Sequence, residues 1–485
     1  MDGVRNPGRL KVLTDDQVDT IHEASLRILE QTGVRFDSED AIRRLRSSGA
    51  TLHPSRPNVV TFPRSLVEDS IQKIPRYGSY FARDPKNDLM FDGEHTFAHS
   101  LGGNPFIVDL ATGQIRGATF DDVERTSRVM DALATCHSVS PLVVATDVPP
   151  RLLVVKTMEA MLKNTAKCVS GYALRSAEMA ALIRMGAAVA GGEEEMRRRP
   201  PFTMYGSPTS PLTYDVNVCD MMLRSAEAGL PVDVVPCPIG GVSAPVSLAA
   251  GLVQQNAELL AGVMLLQTVT TTLPTQYSAR LSILDLRSGK NLWGMPEAAL
   301  TSAAAVQVAH RYHMIADVYG VTTDANGWDF QIGLERMMCA LLPAMAGADN
   351  LSGIGGAWEN AASYEMLVID DEIYADVFRM IRGIEFDEDR LALDVIEKAG
   401  PMGNFLGQRH TMKYLRLGEV RYSTVYDKRT FEKARAGGIR PLHEAARESV
   451  DKILREHVSV PLDGDIEKEL TRVVADSQKE LLAPA

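Results

Sequence analysis

The sequence predicts an α/β fold: a TIM (β/α)8 barrel with an N-terminal cap of helices and hairpins and a C-terminal helical extension. Three observations carry that prediction. From about residue 119, short apolar runs of strand length alternate with longer segments of helical periodicity. The alternation gives seven clear strands, which suits a closed barrel better than an open doubly wound sheet. The chain, at 485 residues, is long enough for a barrel with additions at both ends.

The opening is helical. Thr14 and Gln17 form a capping box, Leu13 and Val18 a hydrophobic staple, and Val18, Ile21, Ser25 and Ile28 share one face up to a stop at Gly33. A second short helix follows Ser38. Asp92-Gly93 and Ala111-Thr112-Gly113 sit between strand-like runs and predict antiparallel hairpins, so residues 1–118 read as a cap. Barrel strands are expected near 142–146, 167–170, 202–205, 232–235, 275–279, 315–318 and 350–354, within a core spanning 119–400. Helices are expected near 151–163, 176–190, 214–228, 246–269, 297–312 and 331–346. The eighth strand is left open between Phe106–Val108 and a segment after residue 400. Residues 401–485 read as a helical extension on the barrel's outside.

Composition narrows the function. A formal charge of −12 argues against nucleic acid and anionic membranes, which need clustered basic residues. The five cysteines are scattered with no C-x-x-C pair, which suits reduced thiols in the cytoplasm. No apolar leader opens the chain, and the apolar stretch 247–273 is interrupted by Gln254, Gln255, Asn256 and Glu258, so it reads as a core helix. No metal site is indicated: His310 and His313 precede a strand, on the face that stabilises a barrel. No dinucleotide fingerprint appears.

A barrel enzyme works at the C-terminal ends of its strands. That rule selects Asp147, Tyr172, Tyr205, Ser207, Cys237, Gln276, Tyr277, Asp324, Ser352 and Gly353, with Trp328, Trp358 and Glu359 in the loops beyond. Aromatic rings at a pocket mouth suit a bound cation. Gly353, Gly355 and Gly356 after a strand would let backbone N–H groups approach an anion.

Several segments resemble the trimethylamine methyltransferase superfamily. The opening LTDDQVDTIHEASLRILEQTGVRF is similar to its first helix, and TTDANGWDFQIGLERMMCALLPAMAGADNLSGIGG is the most specific match. VIDDEIYADVFRMIRGI and GNFLGQRHT follow in the family's order, so the resemblance spans nearly the whole chain. It implies methyl transfer from a methylated amine to the cobalt of a corrinoid (methylcobalamin-type) on a partner protein. Family members specific for trimethylamine carry pyrrolysine near Thr323-Asp324-Ala325-Asn326. This chain has none, which implies the branch acting on quaternary amines such as glycine betaine.

On that implication, Tyr205, Tyr277, Trp328 and Trp358 are candidates to cage the cation. Asp324 or Glu359 would balance its charge as the catalytic carboxylates. A betaine's own carboxylate would need donors, for which His99, Arg280 and the backbone around Gly355 are candidates. Gln331 is a further candidate contact. A small quaternary amine, a corrinoid protein and a second copy of the chain are the expected partners. The alternatives are direct transfer from a betaine to tetrahydrofolate, and a non-catalytic cytoplasmic betaine-binding protein.

Overall fold

The computed structural model describes residues 3–6, 8, 10–358 and 360–482. Eight strands close into a parallel barrel: β1 (His95–Ser100), β2 (Ser138–Val139), β3 (Cys168–Gly171), β4 (Phe202–Gly206), β5 (Val232–Val234), β6 (Gln276–Ala279), β7 (Ile315–Tyr319) and β8 (Asn350–Ile354). Each pairs with the next in sequence. β8 returns to β1 with Leu351 opposite Ala98, so no edge is left.

The outer ring is α1 (Phe120–Ala132), α2 (Leu153–Asn164), α3 (Ser176–Ala190), α4 (Val216–Ala228), α5 (Leu248–Gln267), α6 (Pro296–Arg311), α7 (Phe330–Ala346) and α8 (Tyr364–Arg382). The termini are chemically marked. Asp329 caps α7 by accepting from the Gln331 N–H, and Gly347 ends it at φ +100°. The helix α5 is long and apolar enough to cross a membrane, but 72% of that window is buried against the barrel.

The eighth strand is the first in the chain. The segment His95–Ser100, expected in a cap hairpin, is β1. The Asp92-Gly93 turn is present, with Asp92 Oδ1 accepting from Glu94 and His95 N–H, but the strands on its two sides join different sheets. Neither alternative for the eighth strand joins the barrel. Phe106–Val108 forms the predicted hairpin with Ile115–Gly117 and pairs on its other side with Ala361–Ser363. The chain after 400 is helical. The second strand is displaced as well: the apolar run 142–146 is buried loop, and only Ser138–Val139 enters the ladder.

The opening helix Asp15–Arg27 has the predicted capping box. Tyr80, Ala82, Leu89, Phe91, Phe97, Cys168 and Ile315 form a separate apolar cluster where a hairpin of the N-terminal region meets the starts of β3 and β7. The extension packs on the outside. Leu442–Glu456 lies on α8 and α1, and Gly464–Leu481 on α3 and α2.

Candidate active site

In a parallel barrel alternate strand residues face inward, and here that parity is polar. His99, Ser140, Ser170, Thr203, Tyr205, Asp233, Gln276, Ser278, Arg280, Asp317, Tyr319, Asn350 and Ser352 line one cavity of about 180 Å³. Barrel interiors are ordinarily filled by branched aliphatic side chains. This one keeps space and hydrogen-bonding groups instead, with the Cys237 thiol exposed in its wall.

Asp317 organises one wall. Arg280 donates from Nη2 to its Oδ2 at 2.6 Å, and His99 Nε2 lies 3.0 Å from its Oδ1. Burial alone would push this carboxyl up. The charges of Arg280 and then His99 outweigh burial and hold it at about 2. The other His99 nitrogen meets the Ser100 carbonyl at 2.9 Å, so both ring nitrogens face oxygen acceptors. Arg280 also lies over the Tyr319 ring, 5.0 Å from its centroid, and Trp293 packs edge-on against that ring at 4.8 Å.

A second chain crosses the lumen. The Tyr80 hydroxyl donates to Asp233 Oδ1, Gln276 Nε2 donates to Asp233 Oδ2 at 3.2 Å, and Asn350 Nδ2 donates to Gln276 Oε1 at 3.1 Å. Among the described residues Asp233 has no cationic partner, and burial raises its carboxyl to about 7 against those hydrogen bonds. Tyr205, on β4, lines the same cavity, with the Tyr172 ring 5.6 Å from its own.

Of the residues singled out in the sequence, the structure brings Tyr205, His99 and Arg280 into this cavity, together with Cys237, Gln276 and Ser352. It places others elsewhere. Tyr277 has the opposite parity on β6: it is fully buried on the helix side, its hydroxyl donating to Asn256 Oδ1 at 3.0 Å. Trp328 and Trp358 meet edge-to-face at 5.1 Å, and Trp328 stacks on His443 of the extension at 5.0 Å, outside the lumen lining.

Asp324 accepts from the backbone N–H groups of Trp293 and Gly294 at 2.8 Å each, and burial raises its carboxyl. It therefore ties a loop rather than facing the cavity. Gln331 is a first-turn residue bonded to Glu335. The Gly355 N–H donates to Asp370 Oδ2 at 2.8 Å, beside a buried Arg336–Asp370 pair. Glu359 lies outside the described residues.

Sequence reasoning missed Asp317, Asp233, Tyr319, Asn350, Ser278 and Trp293. A signal was available for most of them. Polar residues recur at every second position in Gln276/Ser278/Arg280, Asp317/Tyr319 and Asn350/Ser352. In a strand buried on both faces, that spacing marks the inward side.

The comparisons with known proteins agree with this architecture. Residues 2–481 match the family model described as trimethylamine methyltransferase (MTTB). The chain is 32% identical to trimethylamine methyltransferase MttB1 of Methanosarcina mazei, covering 98% of this chain and 96% of that protein. It is 30% identical to a glycine betaine methyltransferase of Desulfitobacterium hafniense, covering 98% of each. The monomethylamine methyltransferase MtmB of Methanosarcina barkeri has the same fold, with TM-score 0.54 at 12% identity over 99% of this chain and 89% of that one. With a family match running from one end of the chain to the other, on a closed barrel with a polar, accessible lumen, the protein is a methyltransferase and belongs to the trimethylamine methyltransferase (MTTB) family.

Proposed function

We propose that this enzyme removes a methyl group from a quaternary amine of the glycine betaine class and passes it to Co(I) of a corrinoid on a partner protein. The observation that carries the reading is the lumen itself: a polar cavity with Tyr205 in one wall and Tyr172 packed against it. Aromatic faces hold a methylated cation without taking a proton from it. The full-length relative named as a glycine betaine methyltransferase supports the same substrate class, as does the absence of pyrrolysine from the sequence.

The chemistry asks little acid–base work of the protein. The N–CH3 bond breaks with its electron pair going to nitrogen, and the amine leaves neutral and tertiary. Asp317 is held ionised by Arg280 and His99, and Asp324 is spent on two backbone N–H groups. Neither is placed to protonate a leaving group, and a quaternary amine needs none. The chain's contribution is then positioning: it holds the cation against Tyr205 with one methyl turned to the mouth. Tyr277, Gln331 and Gly355 have structural partners and carry no substrate contact in this reading.

A docked corrinoid supplies the nucleophile. The mouth fits a protein partner, because Leu174, Val242, Leu286 and Phe330 are exposed in the segments that leave the strand ends, Phe330 by 84%.

The test mixes the purified protein with Co(I) cobalamin and a panel of methylated amines, following the cobalamin visible spectrum. Methylation from glycine betaine or a relative, with none from trimethylamine, is the expected result. Reaction only when tetrahydrofolate is the acceptor, or binding without transfer to either acceptor, overturns the proposal.

A further inference from the structure

Two polar atoms in the lumen wall have no partner among the described residues, the acceptor Asn350 Oδ1 and the hydroxyl Ser352 Oγ, while the Ser278 hydroxyl is turned to Asp317. Asn350 and Ser352 are 3% and 2% exposed, so bulk water does not freely satisfy them. Buried groups of this kind are nearly always bonded, and leaving one unmade costs about 1–3 kcal/mol. The cavity is therefore built to receive a polar guest beyond the methylated nitrogen.

The donors available to that guest can be counted. Both nitrogens of His99 are engaged, by Ser100 O and Asp317. The N–H groups of Gly355 and Gly356 are bonded to Asp370 and to the Gly353 carbonyl. Arg280 differs. A guanidinium has five N–H groups. Arg280 uses two on Nη1, for the Ala279 and Asp317 carbonyls, and one on Nη2, for Asp317 Oδ2. Nε–H and the second Nη2–H remain. Asp317 gives Arg280 only one carboxylate oxygen, the other being met by His99, and the open donors of Arg280 form the side-on fork that carboxylates match.

We propose that Arg280 is the specificity-determining residue of this site, receiving a carboxylate on the substrate while the methylated nitrogen lies against Tyr205. The inference rests on the quaternary-amine reading above and sharpens it to zwitterions. Arg280 follows directly on β6 and Tyr205 lies on β4 in the same cavity, so a cation without an anionic end has nothing to offer Arg280. Choline and tetramethylammonium fill the tyrosine side and leave Arg280 and Ser352 unmet. A site built to bond a group rejects analogues that lack it.

The test is equilibrium binding of glycine betaine, choline and tetramethylammonium to the full-length protein, by calorimetry, for wild type and Arg280→Lys. Lysine keeps the charge beside Asp317 and loses the fork. Glycine betaine is expected to bind at least about tenfold more tightly than either plain cation, since charge-assisted bonds are worth about 1.5–3 kcal/mol. Arg280→Lys should erase most of that preference and leave tetramethylammonium affinity unchanged. Equal binding of betaine and choline by wild type, which needs no variant to fold, overturns the inference, as does a preference that survives the substitution. Methyl transfer to Co(I) cobalamin is read separately. Equal transfer from choline sinks the role of Arg280 and leaves the reaction standing. Arg280-dependent betaine binding without transfer does the reverse.

Discussion

Arg280 donates to Asp317 at 2.6 Å between adjacent barrel strands, with both side chains less than 10% exposed. The pair occupies a level of the barrel that aliphatic residues usually fill. Removing one member leaves the other charged and buried, which typically destabilises by about 3–5 kcal/mol. Asp317→Ala is expected to lower the thermal midpoint clearly, read by circular dichroism. An unchanged midpoint would show that the pair is solvated after all.

The same pair fixes an acid limb. The Asp317 carboxyl is held at about 2, below the roughly 3.9 of an unfolded aspartate. The folded state therefore binds this proton less tightly than the unfolded one. The stabilisation is complete above about pH 4 and is lost as pH falls towards 2. Asp317→Asn should flatten that part of the melting-temperature profile, between about pH 4 and pH 2.

Asp233 predicts the opposite sign. Burial lifts it to about 7. The unfolded carboxylate releases its proton near pH 4, while the folded one keeps it to about 7, so stability contributed by this group falls as pH rises between those values. Asp233→Asn, which keeps acceptor and shape, should make the urea midpoint less sensitive to pH from 4.5 to 7.5. A wild-type slope retained in the variant would assign the effect to another group.

The barrel was legible because its helices are amphipathic or apolar over long spans and are separated by segments of strand length, as at Asn350–Ile354. His95–Ser100 was not. Two histidines, a threonine and a serine give it no apolar run, since its inward side is part of the site and its outward side is short. The opposite error occurred at 142–146, where an apolar run is buried as loop. The site followed the same logic. Arg280 and His99 were named as donors for a betaine carboxylate, on the family resemblance, and both line the lumen, while Tyr277, named for the cage, faces the helix side: chemistry alone does not give strand parity. The stacking of Trp328 on His443 joins residues far apart in sequence, and no local pattern announces it.

Gly353 was singled out for an anion-binding backbone, and the structure gives it another reason. Its φ is +115°, and an added Cβ would sit 2.2 Å from the Val321 carbonyl oxygen, which is backbone and has no rotamer to escape into. Gly353→Ala is expected to destabilise by well over about 1 kcal/mol or to abolish soluble expression. Wild-type melting in the variant would remove the close approach of β8 to the segment after β7 from the account.

Tyr205 and Tyr277 separate the lumen from its outer face. Tyr205 lines the cavity, and its ring, not its hydroxyl, is the part suited to a methylated cation. Tyr205→Phe should leave glycine betaine affinity within about twofold, and Tyr205→Ala should weaken it about tenfold or more, as loss of a desolvated cation–π contact worth about 2 kcal/mol requires. Tyr277→Phe deletes a buried hydrogen bond to Asn256 at 3.0 Å and should cost about 1 kcal/mol of stability with no change in affinity. Calorimetric titration beside thermal melting reads both quantities on each variant. If Tyr277→Phe weakened binding while Tyr205→Ala did not, the assignment of inward and outward faces on β4 and β6 would be reversed, and the cation site would have to lie outside the lumen.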